Sequence, residues 1–224
     1  FSISYVMGVT AARRAAAALQ RNDLENTMSY LQEAGRYDPF TASYHNDLAG
    51  IYLSMGQMEK ALTCALAASA REPFNVSMLS RLGEIYWKND MTEQALATME
   101  RARQASPWAV SVWENLAQIY IAAGINYLRN GKQAQARSMF EHAAGFPAEV
   151  SAKVDSLGKF SDLHDRKGLK LTPAIYLQAA IGQHFLGQKE NAAINLEKAA
   201  ADKEQRSEAQ LWQAVHAYQE NNNV

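Results

Sequence analysis

Residues 113–120 read Trp113-Glu-Asn-Leu116-Ala117-Gln-Ile-Tyr120. A large residue is followed by a leucine, a small residue and a tyrosine at spacings that share one helical face, because helix neighbours lie three and four apart. The same types stand in register upstream, at Leu79, Leu82, Gly83 and Tyr86, and again at His45, Leu48, Ala49 and Tyr52. Leu48, Leu82 and Leu116 are spaced by 34, and so are Pro39, Pro73 and Pro107. Ala61 and Ala95, and Ala68 and Ala102, continue the register. Several independent columns in one phase make an internal repeat the first fact about this chain.

The period and residue types resemble the tetratricopeptide repeat, a helix-turn-helix unit of 34 residues. The resemblance implies an all-α fold, a right-handed superhelical α-solenoid. The small residue at the eighth position lets the two helices of a repeat approach, and the closing proline ends the second helix. Turns are expected at Asn22-Asp23, Gly56-Gln57, Asn89-Asp90 and Gly187-Gln188.

Repeats one to four are expected over 1–147, with an atypical first helix. Repeat four carries an insertion: its turn signal falls at Gly131 instead of Gly124, seven residues later. Seven residues are nearly two turns, so the apolar face survives, and one helix over about 110–130 is predicted, lengthened by roughly 10 Å. Ile121, Ile125 and Leu128 should continue its buried stripe. Residues 148–172 read as an irregular helical linker. Residues 173–224 read as a degenerate fifth repeat, opened by Pro173, and a capping helix over Ser207–Glu220.

Composition agrees with a helical core and narrows the function classes. Of 224 residues, 48% are hydrophobic, and the 22 basic and 23 acidic residues leave a net charge of −1. That balance lacks the basic footprint of a nucleic-acid binder. Cys64 is the single cysteine, so no intramolecular disulfide forms; among alanines it reads as a small buried residue, not a reactive thiol. His45, His142, His164, His184 and His216 form no metal-ligand spacing; His45, in the large-residue column, reads as a packed histidine. Ser161, Asp162 and His164 are too close in sequence to converge as a triad and read as a polar loop. Gly158-Lys159 lacks the earlier glycine of a phosphate loop. No catalytic residue, metal or cofactor is expected.

Binding is the function left. In the tetratricopeptide family the concave groove is lined by the second, fifth, sixth, ninth, twelfth and thirteenth positions of first helices. Carried over, these are Ser43, Asn46, Asp47 and Gly50 in repeat two. In repeat three they are Ser77, Arg81, Glu84, Trp87 and Lys88, and in repeat four Ser111, Glu114, Asn115 and Gln118. A protein or peptide partner is expected there. Trp87 either anchors it, as interface tryptophans do, or packs on the neighbouring repeat. Chaperone-binding members clamp a terminal carboxylate with an asparagine at the ninth position. Here that position holds Ala16, Gly50, Glu84, Gln118 and Ile181, and Glu84 would repel the ligand.

A second resemblance is to the soluble C-terminal part of bacterial O-antigen ligase or polymerase-like membrane proteins. It rests on Leu31-Gln-Glu-Ala34 with Asp38-Pro39, and on Ser106-Pro107-Trp108 with Trp113-Glu114. Tyr127-Leu128-Arg129-Asn130-Gly131, Leu171-Thr172-Pro173 and Leu211-Trp212 add to it. It implies an accessory domain of an envelope-polysaccharide glycosyltransferase, tethered to a membrane upstream of Phe1. The apolar start, Phe1–Val9, then reads as the end of a span; the plainer reading is the first turns of a buried solenoid helix. The chain opens on Phe, as a cut fragment would. Arg13-Arg14 would favour a cytoplasmic face.

Overall fold

The computed structural model describes residues 3–158 and 171–221. Lys159, Ser161, Asp162 and His164 lie outside the described residues. Within them every regular element is a helix. In order they are α1 (Ile3–Gln20), α2 (Leu24–Tyr37), α3 (Ala42–Ser54), α4 (Met58–Arg71), α5 (Val76–Lys88), α6 (Thr92–Ala105), α7 (Val110–Arg129), α8 (Gln133–Gly158), α9 (Pro173–Phe185), α10 (Lys189–Ala200) and α11 (Lys203–Asn221). The fold is an all-α solenoid of helical hairpins. It divides into two compact units, Phe1–Ser106 and Pro107–Val224.

In the first unit α1 pairs with α2, α3 with α4 and α5 with α6, and each hairpin packs on the next. The hairpin turns share one chemistry. Asn22, Gly56 and Asp90 adopt positive φ of 57°, 71° and 57°. The residue after each donates its N–H to the carbonyl five residues back, Asp23 to Ala18, Gln57 to Tyr52 and Met91 to Tyr86. This closes the helix with a left-handed residue, a role suited to glycine, asparagine and aspartate. Asp23 then caps α2, its Oδ1 accepting from the Asn26 N–H at 3.1 Å. The interior is built from alanine and leucine columns: Ala49, Leu53, Ala61, Ala65, Leu82 and Ile85 form one cluster. Small residues set the helix spacing. A Cβ on Gly83 would sit 2.7 Å from the Met99 side chain.

Helix α1 answers the question raised by the apolar start. Gly8, Ala11, Ala15 and Ala18 are buried at helical spacing against α2. The first turns are not: Ile3 is 83% exposed and Val6 52%. The expectation of buried first turns is therefore corrected, because the small residues alone face α2.

In the second unit α7 is the lengthened helix, closing at Gly131 with φ 70°. Its buried face runs through Ile121, Ala123 and Gly124, while Ile125 is half-buried and Leu128 is exposed. The expected stripe thus fades one turn early, because Gly124 takes the contact: a Cβ there would meet the Phe140 ring at 2.5 Å. Helix α8 continues without a break through Pro147 to Gly158, so the start expected for a separate linker, 148, falls inside it. An interior proline costs a helix about 3 kcal/mol. Burial on both sides of it offsets that cost: Phe140, Ala143, Phe146 and Val150 are at most 2% exposed. Phe146 stands edge-on to Trp113 at 5.2 Å and to Tyr120 at 5.8 Å. Thr172 caps α9 and Pro173 opens it, and α11 packs on α10 and α9.

Candidate functional site

The site lies in the first unit. A pocket of about 560 Å³ opens on the faces of α1 and α3, with α2 behind and Arg81 of α5 at one side. Its α1 wall is Ala12, Ala15, Ala16 and Leu19. Alanine keeps the helix, being its best former, and leaves the space empty. The α3 wall offers Ser43, Asp47, Gly50 and Ile51.

Gly50 matters because of what lies on it. A Cβ there would be 3.3 Å from both Cζ and Nη2 of Arg81. The guanidinium therefore lies flat on the α3 backbone. Its Nε is buried without a hydrogen-bond partner, while Nη1 donates to Glu84 Oε2 at 3.4 Å. Glu84 also receives Lys88 Nζ at 3.2 Å. Both ion pairs are on the surface and contribute about 0–1 kcal/mol each. Asp47 feels two opposed effects. Loss of solvent pushes its carboxyl above the usual range, and the Arg81 charge pulls it back.

The sequence-predicted residues divide accordingly. Asp47 and Arg81 reach the pocket, with Ser43 and Gly50. Asn46 does not: it is 8% exposed, and its Oδ1 is buried without a partner. The reason is phase. Asn46 shares a stripe with Ala42, Ala49 and Leu53, which pack with Met78 and Leu82 of the next repeat. Trp87 is half-buried, and Lys88 is exposed beside Glu84. In the second unit Asn115 and Gln118 are exposed and Glu114 half-buried on α7, opposite the buried Trp113, Leu116 and Tyr120. The α1 alanines were missed as site residues because repeat one carries no regular first-helix register. The signal for them was the alanine-rich stretch Ala11–Ala18, six alanines around Arg13-Arg14.

A second cavity, of about 370 Å³, lies among α2, α3 and α4 and includes Tyr44, His45, Tyr52 and Cys64. Burial pushes the His45 pKa down, helped by Arg71, and pushes the Cys64 thiol up. Both shifts disfavour the charged forms, and an uncharged thiol is neither a good ligand nor a good nucleophile. Among the described residues no group of three His, Cys, Asp or Glu side chains is placed to hold a metal ion.

Residues 75–145 match the family model for the tetratricopeptide repeat. This segment is the part of the chain that is similar to that family. It holds α5, α6, α7 and the first half of α8, so it includes Arg81. No curated protein matches the sequence. Solved tetratricopeptide structures share the fold at low identity. A crystal structure of MamA protein is 13% identical with a TM-score of 0.62, covering 90% of this chain and 94% of its own. A thermophilic repeat protein of Thermus thermophilus is 15% identical with a TM-score of 0.50, covering 94% and 99%. The first repeat domain of Spaghetti (RPAP3), bound to the HSP90 peptide SRMEEVD, is 15% identical with a TM-score of 0.51, covering 54% and 98%.

Proposed function

We propose that this protein is a non-catalytic tetratricopeptide scaffold whose groove between α1 and α3 binds a peptide segment of a protein partner. The observation that supports it most is the pocket itself, an alanine-walled space with a guanidinium laid along its edge. Alanine walls fit an apolar side chain of the ligand. The solved complex with an HSP90 peptide shows that a similar fold receives a peptide. An acidic tail is a poor occupant here. Arg81, the cation that lines the pocket, is already opposed by Asp47 and Glu84, and Gly50 and Glu84 stand where a clamp asparagine is needed.

Selection from a phage-displayed random peptide library tests this reading. Peptides with a bulky apolar residue and no acidic terminus should be enriched. Ala16→Phe, at an exposed position of the pocket wall, should abolish enrichment without lowering thermal stability. Unchanged enrichment on that variant removes the groove from the function.

A second reading is the accessory domain of an O-antigen ligase-like membrane glycosyltransferase. The exposed Ile3 and Val6 favour it, since they would continue an apolar surface toward a bilayer. Among the described residues no helix is long and apolar enough to cross a membrane. A full-length gene with several predicted spans upstream of Phe1 would support this reading, and a polar domain there would end it.

A further inference from the structure

Two successive repeats of the first unit place a phenylalanine directly after the closing proline, Pro39-Phe40 and Pro73-Phe74. Phe40 is 87% exposed and Phe74 80%. A single exposed apolar residue needs no explanation, but a repeated one on a common edge does. Both occupy the same position of the repeat, so they project from the same edge of the stack.

The turns that carry them are held. Asp38 accepts from the Phe40 N–H at 3.3 Å and from the Thr41 hydroxyl at 2.6 Å. Arg71 Nε donates to the Pro39 carbonyl at 2.7 Å. One repeat on, the Asn75 amide donates to Glu72 Oε2 at 2.6 Å, and Arg101 Nη2 donates to the Pro73 carbonyl at 3.3 Å. Each aromatic ring is thus presented on a backbone fixed by the following repeat.

The start of α1 joins the same edge. The Ser4 hydroxyl donates to the Tyr37 carbonyl, and Gly8 sits against Asp38. Ser4 and Gly8 thus bring one face of α1 to the Phe40 turn. Arginines outnumber acids around these apolar groups: Arg36, Arg71 and Arg101 are exposed next to the turns, against Asp38 and Glu72.

We propose that this edge docks on an anionic lipid surface, with Phe40 and Phe74 inserted at the headgroup level and the three arginines against lipid phosphates. Apolar side chains flanked by guanidiniums match a layer that is apolar beneath and anionic above. Arginine suits this place because its stem packs on apolar surface while its head stays among phosphates. Two separate rings on stiff turns ask for a deformable partner; a protein would have to supply two matching pockets at the repeat spacing. Neither signal alone anchors firmly, and the edge carries both. The proposal stands on residues outside the groove and does not depend on it.

Co-sedimentation of the 224-residue chain with vesicles tests it. The chain should bind phosphatidylcholine vesicles containing phosphatidylglycerol, bind pure phosphatidylcholine weakly, and be released as salt rises. Phe40→Ser with Phe74→Ser should lower partitioning about tenfold or more with an unchanged melting temperature, because both rings are exposed. Arg36→Gln should reduce binding to the anionic vesicles only. Absence of wild-type binding to anionic vesicles overturns the proposal, and so does binding that survives loss of both rings. A change of oligomeric state in the double variant without any vesicle binding also overturns it, and reassigns the edge to contacts between copies of the chain.

Discussion

Replacing Gly182 with alanine tests the backbone contact that sets α9 against α8. The added Cβ would lie 2.8 Å from the Phe140 carbonyl oxygen, 3.3 Å from the Ala144 nitrogen and 3.4 Å from Ile121 Cδ1. Two of these atoms are main chain of α8, so no side chain can swing away. The helices must separate by several tenths of an ångström, which loosens the Phe140–Phe185 stack at 4.5 Å. Overpacking of this kind costs about 1–3 kcal/mol. Alanine returns about 0.8–1 kcal/mol through helix propensity. The expected net result is a loss of about 1 kcal/mol. Gly145→Ala is the control in the same unit. Its Cβ would meet only Glu149 Oε1, at 3.7 Å, so stability should rise by about 0.5–1 kcal/mol. Urea unfolding of both variants should separate them by about 2 kcal/mol in opposite directions. If Gly182→Ala is stabilised as much as Gly145→Ala, the α8–α9 approach described here is refuted.

Three further outcomes follow from named contacts. Gly50→Ala should push the Arg81 guanidinium off α3 by a few tenths of an ångström while adding up to about 1 kcal/mol of helix propensity; calorimetry should show equal or higher stability, and fluorescence polarisation weaker binding of a library-selected peptide. Asp23 is held below the usual carboxylate range, first by the Asn26 side-chain hydrogen bond and then by the Asn26 N–H. A depressed folded-state pKa gives stability that is present above the unfolded value and lost as pH falls through the folded one, so the stability gap between wild type and Asp23→Ala should be flat near neutrality and shrink in acid. Cys64, whose thiol burial pushes up, should react with a thiol reagent much more slowly in the native chain than in urea.

The regular repeats were legible because their signals are local and redundant. Leu48, Leu82 and Leu116 mark one face, and each hairpin turn is marked by a Gly, Asn or Asp that tolerates positive φ. The lengthened α7 was legible for the same reason, since Gly131 moved the turn by nearly two whole turns of helix. The continuity of α8 was not. The repeat register ends before 148, and the burial of Phe146 and Val150 that offsets the cost of Pro147 is a tertiary effect. Likewise Phe1–Val9 offers an apolar run, but nothing in the run says that the small residues take the α2 face and leave Ile3 and Val6 outside.

The site shows where a repeat register stops being informative. One residue along a helix turns the side chain by about 100°, so adjacent positions have opposite fates. Asp47 enters the pocket, and Asn46 goes into the joint with the next repeat. Both are small polar residues, and the family pattern assigns both to the groove. What separates them is which neighbours the next repeat supplies. Met78 and Leu82 close over the stripe that Asn46 shares, whereas Gly50 leaves room for Arg81 to reach across beside Asp47. The proposed groove is thus written in pairs of residues from different repeats, and a single column cannot disclose it. The pair Gly50 and Arg81 is such a record: glycine at a helix interior costs about 1 kcal/mol against alanine, and the structure shows the guanidinium that occupies the space so made.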